Sequence, residues 1–295
     1  MQNMTDQSGG PISIAGQQMT PLTSAVPGDW VERITAYLDG RVVPVEPEHA
    51  ATVILLRDAA AASPDVYLLK RASTMAFAAG FHAFPGGRVD PRDADAAIAW
   101  AGPSPAVWAE RFGGDDSEAR GLLCAAVRET FEESGVLFAG TDAQTVVSDT
   151  TGEDWETDRL ALVSRELSLA EFLARRKLVL RSDLLGGLSR WITPEFEPRR
   201  YDTAFFVASL PAGQRTRDVS GEADSTLWTQ PAAAIADHEA GRALMLPPTI
   251  ASLREVMSYG SAAEAVFAAN ARNPKTVTPS VSRREDGSLH LEWPL

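Results

Sequence analysis

The stretch "AVRETFEESGV" at residues 126–136 does most to limit what this chain can fold into, because it encodes a helix, its end and a charge problem together. Upstream, Asp116 or Ser117 is placed to cap the helix, and Gly135 to end it as the left-handed residue after the last turn. Leu123, Val127, Thr130, Phe131 and Ser134 fall broadly on one side. Glu129, Glu132 and Glu133, spaced i, i+3 and i+4, share another. A helix carries partial negative charge at its C-terminal end, so acids there sit where the macrodipole repels them. Each close carboxylate pair adds about 4 kcal/mol of repulsion at roughly 4 Å and an effective dielectric near 20. A hard divalent cation relieves this directly, since Mg²⁺ takes a few carboxylate oxygens and keeps its other positions for water and phosphate oxygens. Arg128 is placed to pair with one acid. The competing reading is a solvated acidic face.

The 295 residues, 44% hydrophobic and 23% charged, are those of a globular chain with a sizeable core. A net charge of −13 argues against tracking a nucleic-acid backbone. Small anionic ligands stay open, because a basic cluster or a bound cation overrides the global field at short range. No run of about 18 apolar residues occurs, and the start lacks a basic segment followed by an apolar one, so we expect a soluble, cytoplasmic protein with no membrane partner. The single cysteine, Cys124, and histidines scattered at 49, 82, 238 and 290 argue against a disulfide or a cysteine-rich zinc site.

Residues 1–28, rich in Gln, Ser, Gly, Thr and Pro, predict a flexible tail. "ATVILLRD" (51–58) and "VYLLKR" (66–71), separated by "ASPD", predict an antiparallel pair, after which "FPGG" breaks regular structure. The stretch from Pro91 to Gly114, interrupted by "GPSP", predicts two short helices, and 150–185 is helical with a capping box in "SLAE" at 168–171. "SRWITP", "YDTAFFVASL" and "STLW" predict strands; 231–240 and 247–270 predict helices. "VSRREDGSLHLEW" predicts a hairpin turning at Asp286 and Gly287. Strands and helices mix without βαβ regularity, so the class is α+β.

These residues resemble the nudix hydrolases, whose box runs Gly, five residues, Glu, seven residues, then Arg-Glu-apolar-any-Glu-Glu-any-Gly-apolar. "RETFEESGV" (128–136) matches the second half, with Thr130 at the first apolar slot, and Gly87 within "GFHAFPGGRVD" (80–90) supplies the first glycine. Two departures stand out. Asp93 occupies the position of the first Glu, and Arg128 follows Gly87 by 41 positions, so about 27 extra residues interrupt the box. "GFHAFPGGRVD" and "LLKR" are similar to the motif of coenzyme A diphosphatases, although Ala76 stands where that motif commonly has an arginine. The interrupted box, "RYDTAFFVA" and "LPPTIASLRE" are similar to the branch containing the animal peroxisomal coenzyme A diphosphatases.

The resemblance implies a nudix fold: a mixed sheet sandwiched between helices, a domain over 29–270 with insertions near 91–115 and 145–185, and a C-terminal hairpin extension at 271–295. It implies metal-dependent hydrolysis of a nucleoside diphosphate-linked small molecule, first coenzyme A or an acyl derivative, with ADP-ribose and NADH as rivals and a non-catalytic nucleotide sensor as the alternative of another class. Glu129, Glu132, Glu133 and the carbonyl of Gly87 would hold Mg²⁺ or Mn²⁺, and Arg128 would orient the acids. Glu129 and Glu222 are both candidates for the general base; Glu222 also reads as a solvated loop acid. Arg71 and Arg88 are candidate phosphate contacts or surface charges. Phe84 is a candidate base-stacking ring or a core residue. One reading of the terminal hairpin and "LEWPL" is a homodimer contact.

Overall fold

The computed structural model describes residues 13–15, 30–61, 63–75, 78–283, 285 and 289–293. Strands Glu48–Arg57 and Asp65–Arg71 form the antiparallel pair that their apolar runs predict, with Leu56 opposite Val66. The first strand begins three residues before the predicted 51 because Ala50 finds a partner in Arg88 of a short strand, Gly86–Arg88. That partner holds Ala51 opposite Gly87 and Thr52 opposite Gly86. Only glycine fits at 86, since a Cβ there would stand 2.4 Å from the Ala51 carbonyl oxygen.

Strand Ala223–Thr229 pairs antiparallel with Asp65–Arg71, and His82–Ala83 pairs antiparallel with Asp65–Arg71 as well. On the other side of Glu48–Arg57 come Tyr201–Ser209 and then Leu185–Ile192. The Glu48 N–H donates to Arg200 O and the Leu210 N–H to Leu56 O, so those neighbours run in the same direction and the sheet is mixed. Helices Pro231–Glu239, Pro247–Val256 and Ala262–Asn270 complete the α+β architecture.

Helix Asp116–Ser134 is the structural centre. Its cap is Asp115, whose carboxylate accepts the Glu118 N–H at 2.8 Å, one residue ahead of the expected 116 or 117. Gly135 ends it with φ 74°, as the sequence predicts. Leu122, Leu123, Ala126, Val127 and Phe131 are buried, and Ala119, Cys124 and Ala125 bury other sides too, so the helix is enclosed rather than laid on a surface. It packs against the Gly86–Arg88 strand and against helices Pro105–Phe112 and Glu153–Val163. Phe131 stacks on Phe172 with ring centroids 5.2 Å apart.

Between Pro91 and Gly114 the two predicted helices reduce to one. A single 3₁₀ turn, Pro91–Ala94, is closed by a capping box between Asp90 and Asp93, and Pro105–Phe112 is the only α-helix of that stretch. The residues between are recruited elsewhere: Trp100–Ala101 runs parallel to Val179–Arg181, which pairs antiparallel with Ala139–Gly140. A strand partner so far along the chain leaves no local signal. In the stretch 150–185, helices Glu153–Val163 and Leu169–Arg176 form, the second opened by the Ser168–Glu171 capping box.

The chain divides into two compact units, residues 49–190 with 203–275, and residues 1–48 with 191–202 and 276–295. In the second of these, helix Trp30–Leu38 sets Trp30 edge-on to Phe196 at 5.2 Å, and Arg33 pairs with Glu197 at 2.6 Å. Strands Ser280–Arg283 and Leu289–Glu292 pair antiparallel, and Ser13–Ala15 runs parallel beside the latter. Of the tail expected at 1–28, those three residues form a strand and the rest lie outside the described residues, as do Asp286 and Gly287 of the expected turn. Among the described residues no helix is long and apolar enough to cross a membrane.

Candidate active site

The helix at 116–134 and the strand at 86–88 bring the two halves of the acidic motif together. A Cβ on Gly87 would stand 2.5 Å from the Glu129 carboxyl carbon, so the glycine leaves room for that carboxylate to lie against the strand. Glu133 is fixed from the same strand, where the Gly86 N–H donates to its Oε2 at 2.8 Å.

Arg128 is the hub of the cluster. Its Nη1 donates to Glu129 Oε1 at 2.7 Å and to Glu132 Oε1 at 3.2 Å. Its Nε and Nη2 fork onto Asp93, at 3.1 Å to Oδ1 and 2.9 Å to Oδ2, and Nη2 also reaches the Arg88 carbonyl at 2.9 Å. Asp93, 1% exposed, also accepts the Asp90 N–H at 2.9 Å. The residue in the first-glutamate position therefore does reach the helix, with the shorter Asp side chain carried in by the 3₁₀ turn.

Three carboxylates, Asp93, Glu129 and Glu132, crowd around this one guanidinium, and Glu133 lies beside them on the Gly86 N–H. Burial raises the Glu129 carboxyl to about 7, with Arg128 drawing it down and the Glu132 charge pushing it up. Burial also raises Glu133, reinforced by the Glu129 charge and opposed by the Gly86 hydrogen bond. Glu132 is raised by burial against the pull of Arg128, with Arg165 a smaller opposing influence. The helix end is compensated from outside the motif: Arg159, 3% exposed and gripped by Glu156 at 2.6 and 3.0 Å, donates to the Glu132 carbonyl at 2.6 Å. That cation sits where the macrodipole calls for one. Neither Arg159 nor Arg165 was visible from the sequence, because Arg159 lies on the helix Glu153–Val163 and Arg165 just beyond its end, both far along the chain from the motif.

A cavity of about 160 Å³ opens beside the cluster, lined by Glu129, Glu132 and Arg128 of the helix, Asp90 and Arg92, Leu162, Val163 and Arg165, and Glu222. Glu222, an exposed residue, thus stands at the same opening as the box glutamates. Arg71, half-buried, ends its strand opposite Ala223 and acts on Glu133 electrostatically. Arg88 is exposed, and its backbone carbonyl serves Arg128. Phe84 is 4% exposed, so its ring belongs to the core and presents no face to a base.

The donors suit a hard cation in kind: three glutamates and a glycine strand, with burial and like charge already lifting the acids. Their present orientation is different. Among the described residues no three such side chains converge with metal-ligand spacing, because Glu129 and Glu132 face Arg128 and Glu133 faces Gly86.

The NUDT19 Nudix domain family matches residues 115–256, from the cap of the acidic helix past Glu222. Acyl-coenzyme A diphosphatase NUDT19 of Xenopus laevis is 26% identical over 268 residues, covering 77% of this chain and 69% of that protein. Putative nudix hydrolase 7 of Caenorhabditis elegans is 28% identical over 204 residues, 69% of this chain and 58% of that protein. The crystal structure of a NUDIX hydrolase from Alicyclobacillus acidocaldarius matches with a TM-score of 0.62 at 29% identity, covering 76% of this chain and 96% of that one. With the acidic helix, the glycine strand and the arginine hub brought together, the chain has the nudix fold and is similar to the NUDT19 Nudix domain over residues 115–256.

Proposed function

We propose that this enzyme hydrolyses the diphosphate of coenzyme A or an acyl-coenzyme A, giving 3′,5′-ADP and a phosphopantetheine product. The observation that carries the hydrolytic site is the excess of buried carboxylate over guanidinium at Arg128. The substrate class is supported by the likeness to a protein named as an acyl-coenzyme A diphosphatase. ADP-ribose and NADH are the rival substrates of the same chemistry.

In this reading Glu129, Glu132, Glu133 and the Gly87 carbonyl hold Mg²⁺ or Mn²⁺, which nudix enzymes use to stabilise charge on the phosphates and to lower the pKa of bound water. The chain's own residues do the rest. Arg128, fixed by Asp93, sets the rotamers of Glu129 and Glu132. Gly86 holds the Glu133 carboxylate by its N–H. A proton acceptor must stand at the cavity, and two are there: Glu129, poised near 7, and Glu222, exposed at the rim. A cytoplasmic location and a homodimer remain parts of the same proposal.

The test is a substrate panel of coenzyme A, an acyl-coenzyme A, ADP-ribose and NADH with Mg²⁺ and then Mn²⁺, products separated by chromatography. Turnover of the coenzyme A substrates, abolished by Glu133→Gln, is expected. Turnover of ADP-ribose alone would overturn the substrate assignment.

A further inference from the structure

Arg165 sits in the loop between the two inserted helices, and it ends helix Glu153–Val163 in a conformation that suits another residue better. Its φ is +61°, with its N–H donating to the Leu162 carbonyl at 2.9 Å. Helix ends of this left-handed kind usually take glycine or asparagine, because a Cβ crowds the backbone there. The strained turn is pinned from the 3₁₀ segment, where Arg92 Nη1 donates to the Arg165 carbonyl at 3.2 Å while its other nitrogens hold Asp90.

Pinning the backbone aims the side chain. Arg165 lines the same cavity as Glu129, Glu132 and Glu222, its charge acts on Glu132, and among the described residues its guanidinium makes no hydrogen bond. The cavity holds about 160 Å³. Whole-ligand sites run to roughly 300–1,000 Å³, so this one suits a diphosphate and not the nucleoside or the thiol arm. We propose that Arg165 is a substrate-binding residue that clamps the diphosphate opposite the glutamates, supplied by the insertion and held in place by Arg92. A guanidinium fork matches phosphate oxygens in pairs, and a strained position that glycine would satisfy better implies a use for the side chain. The inference rests on the hydrolase reading above and gives that site its phosphate contact.

Isothermal titration with methylenediphosphonate, a diphosphate that water cannot cleave, tests it in the presence of saturating Mg²⁺. Arg165→Gly and Arg165→Asn both accept the left-handed backbone, so both variants should keep the wild-type thermal midpoint or exceed it. Each should bind the diphosphonate about tenfold more weakly, with Mg²⁺ affinity unchanged, and Arg165→Lys should recover part of the loss. Wild-type affinity in the glycine and asparagine variants overturns the proposal, as does absence of binding by the wild type. A fall in Mg²⁺ affinity with diphosphonate affinity intact also overturns it, since Arg165 would then serve only Glu132. Should the diphosphonate result hold while no member of the substrate panel is cleaved, the clamp stands and the hydrolytic reading falls.

Discussion

Replacing Glu129 by Gln should make the metal-free protein more stable while it abolishes most activity. Glu129 is largely enclosed against Gly87, its side chain 15% exposed, and pushed from an ordinary 4.5 to about 7, so the folded state holds its proton more tightly than the unfolded chain does. For an acid raised in this way the folded state gains below pH 4.5, and that gain is lost as pH rises through about 7. At 1.36 kcal/mol per tenfold change in proton affinity, keeping the charge folded at pH 8 costs roughly 3 kcal/mol. Gln keeps an oxygen for the Arg128 Nη1 donor and carries no charge. Urea unfolding in EDTA should therefore give Glu129→Gln an advantage of roughly 3 kcal/mol at pH 8 that shrinks toward zero by pH 5. Mg²⁺ should stabilise the wild type at pH 8 far more than the variant. A variant less stable than the wild type at pH 8, or a gap equal at both pH values, would refute the reasoning that the carboxylate is held at a cost.

The two neighbouring glycines should respond to alanine in opposite ways. Gly86→Ala drives a Cβ to 2.4 Å from the Ala51 backbone oxygen and should cost about 1–3 kcal/mol by urea titration. Gly87→Ala first meets the movable Glu129 carboxylate rather than backbone, so stability should stay near wild type while kcat/KM falls by about tenfold or more. Asp93→Asn, which breaks the fork to Arg128, should lose roughly 1.5–3 kcal/mol and raise the Mg²⁺ concentration needed for half-activation. Phe131→Ala removes a fully buried ring from its stack with Phe172 and should cost about 3–5 kcal/mol, with the folded fraction keeping its substrate affinity.

Short-range chemistry was legible in the sequence. The helix at 116–134, its left-handed glycine, the Ser168–Glu171 capping box, the strand pair around 51–71 and the shared face of Glu129, Glu132 and Glu133 each follow from residues a few positions apart. The helix end, the turn and the i, i+3, i+4 spacing are set by backbone geometry that repeats locally, so pattern alone suffices. Tertiary structure decided the rest. It chose Asp93 as the anchor of Arg128 from 35 positions away, turned Phe84 into the core, and replaced a predicted helix with a strand that pairs at Val179–Arg181. It also carried Arg159 to the helix end and Arg165 to the cavity. Those partners meet only because a packed core brings distant segments within hydrogen-bond range, and the energies that select them depend on burial, which no stretch of sequence carries by itself.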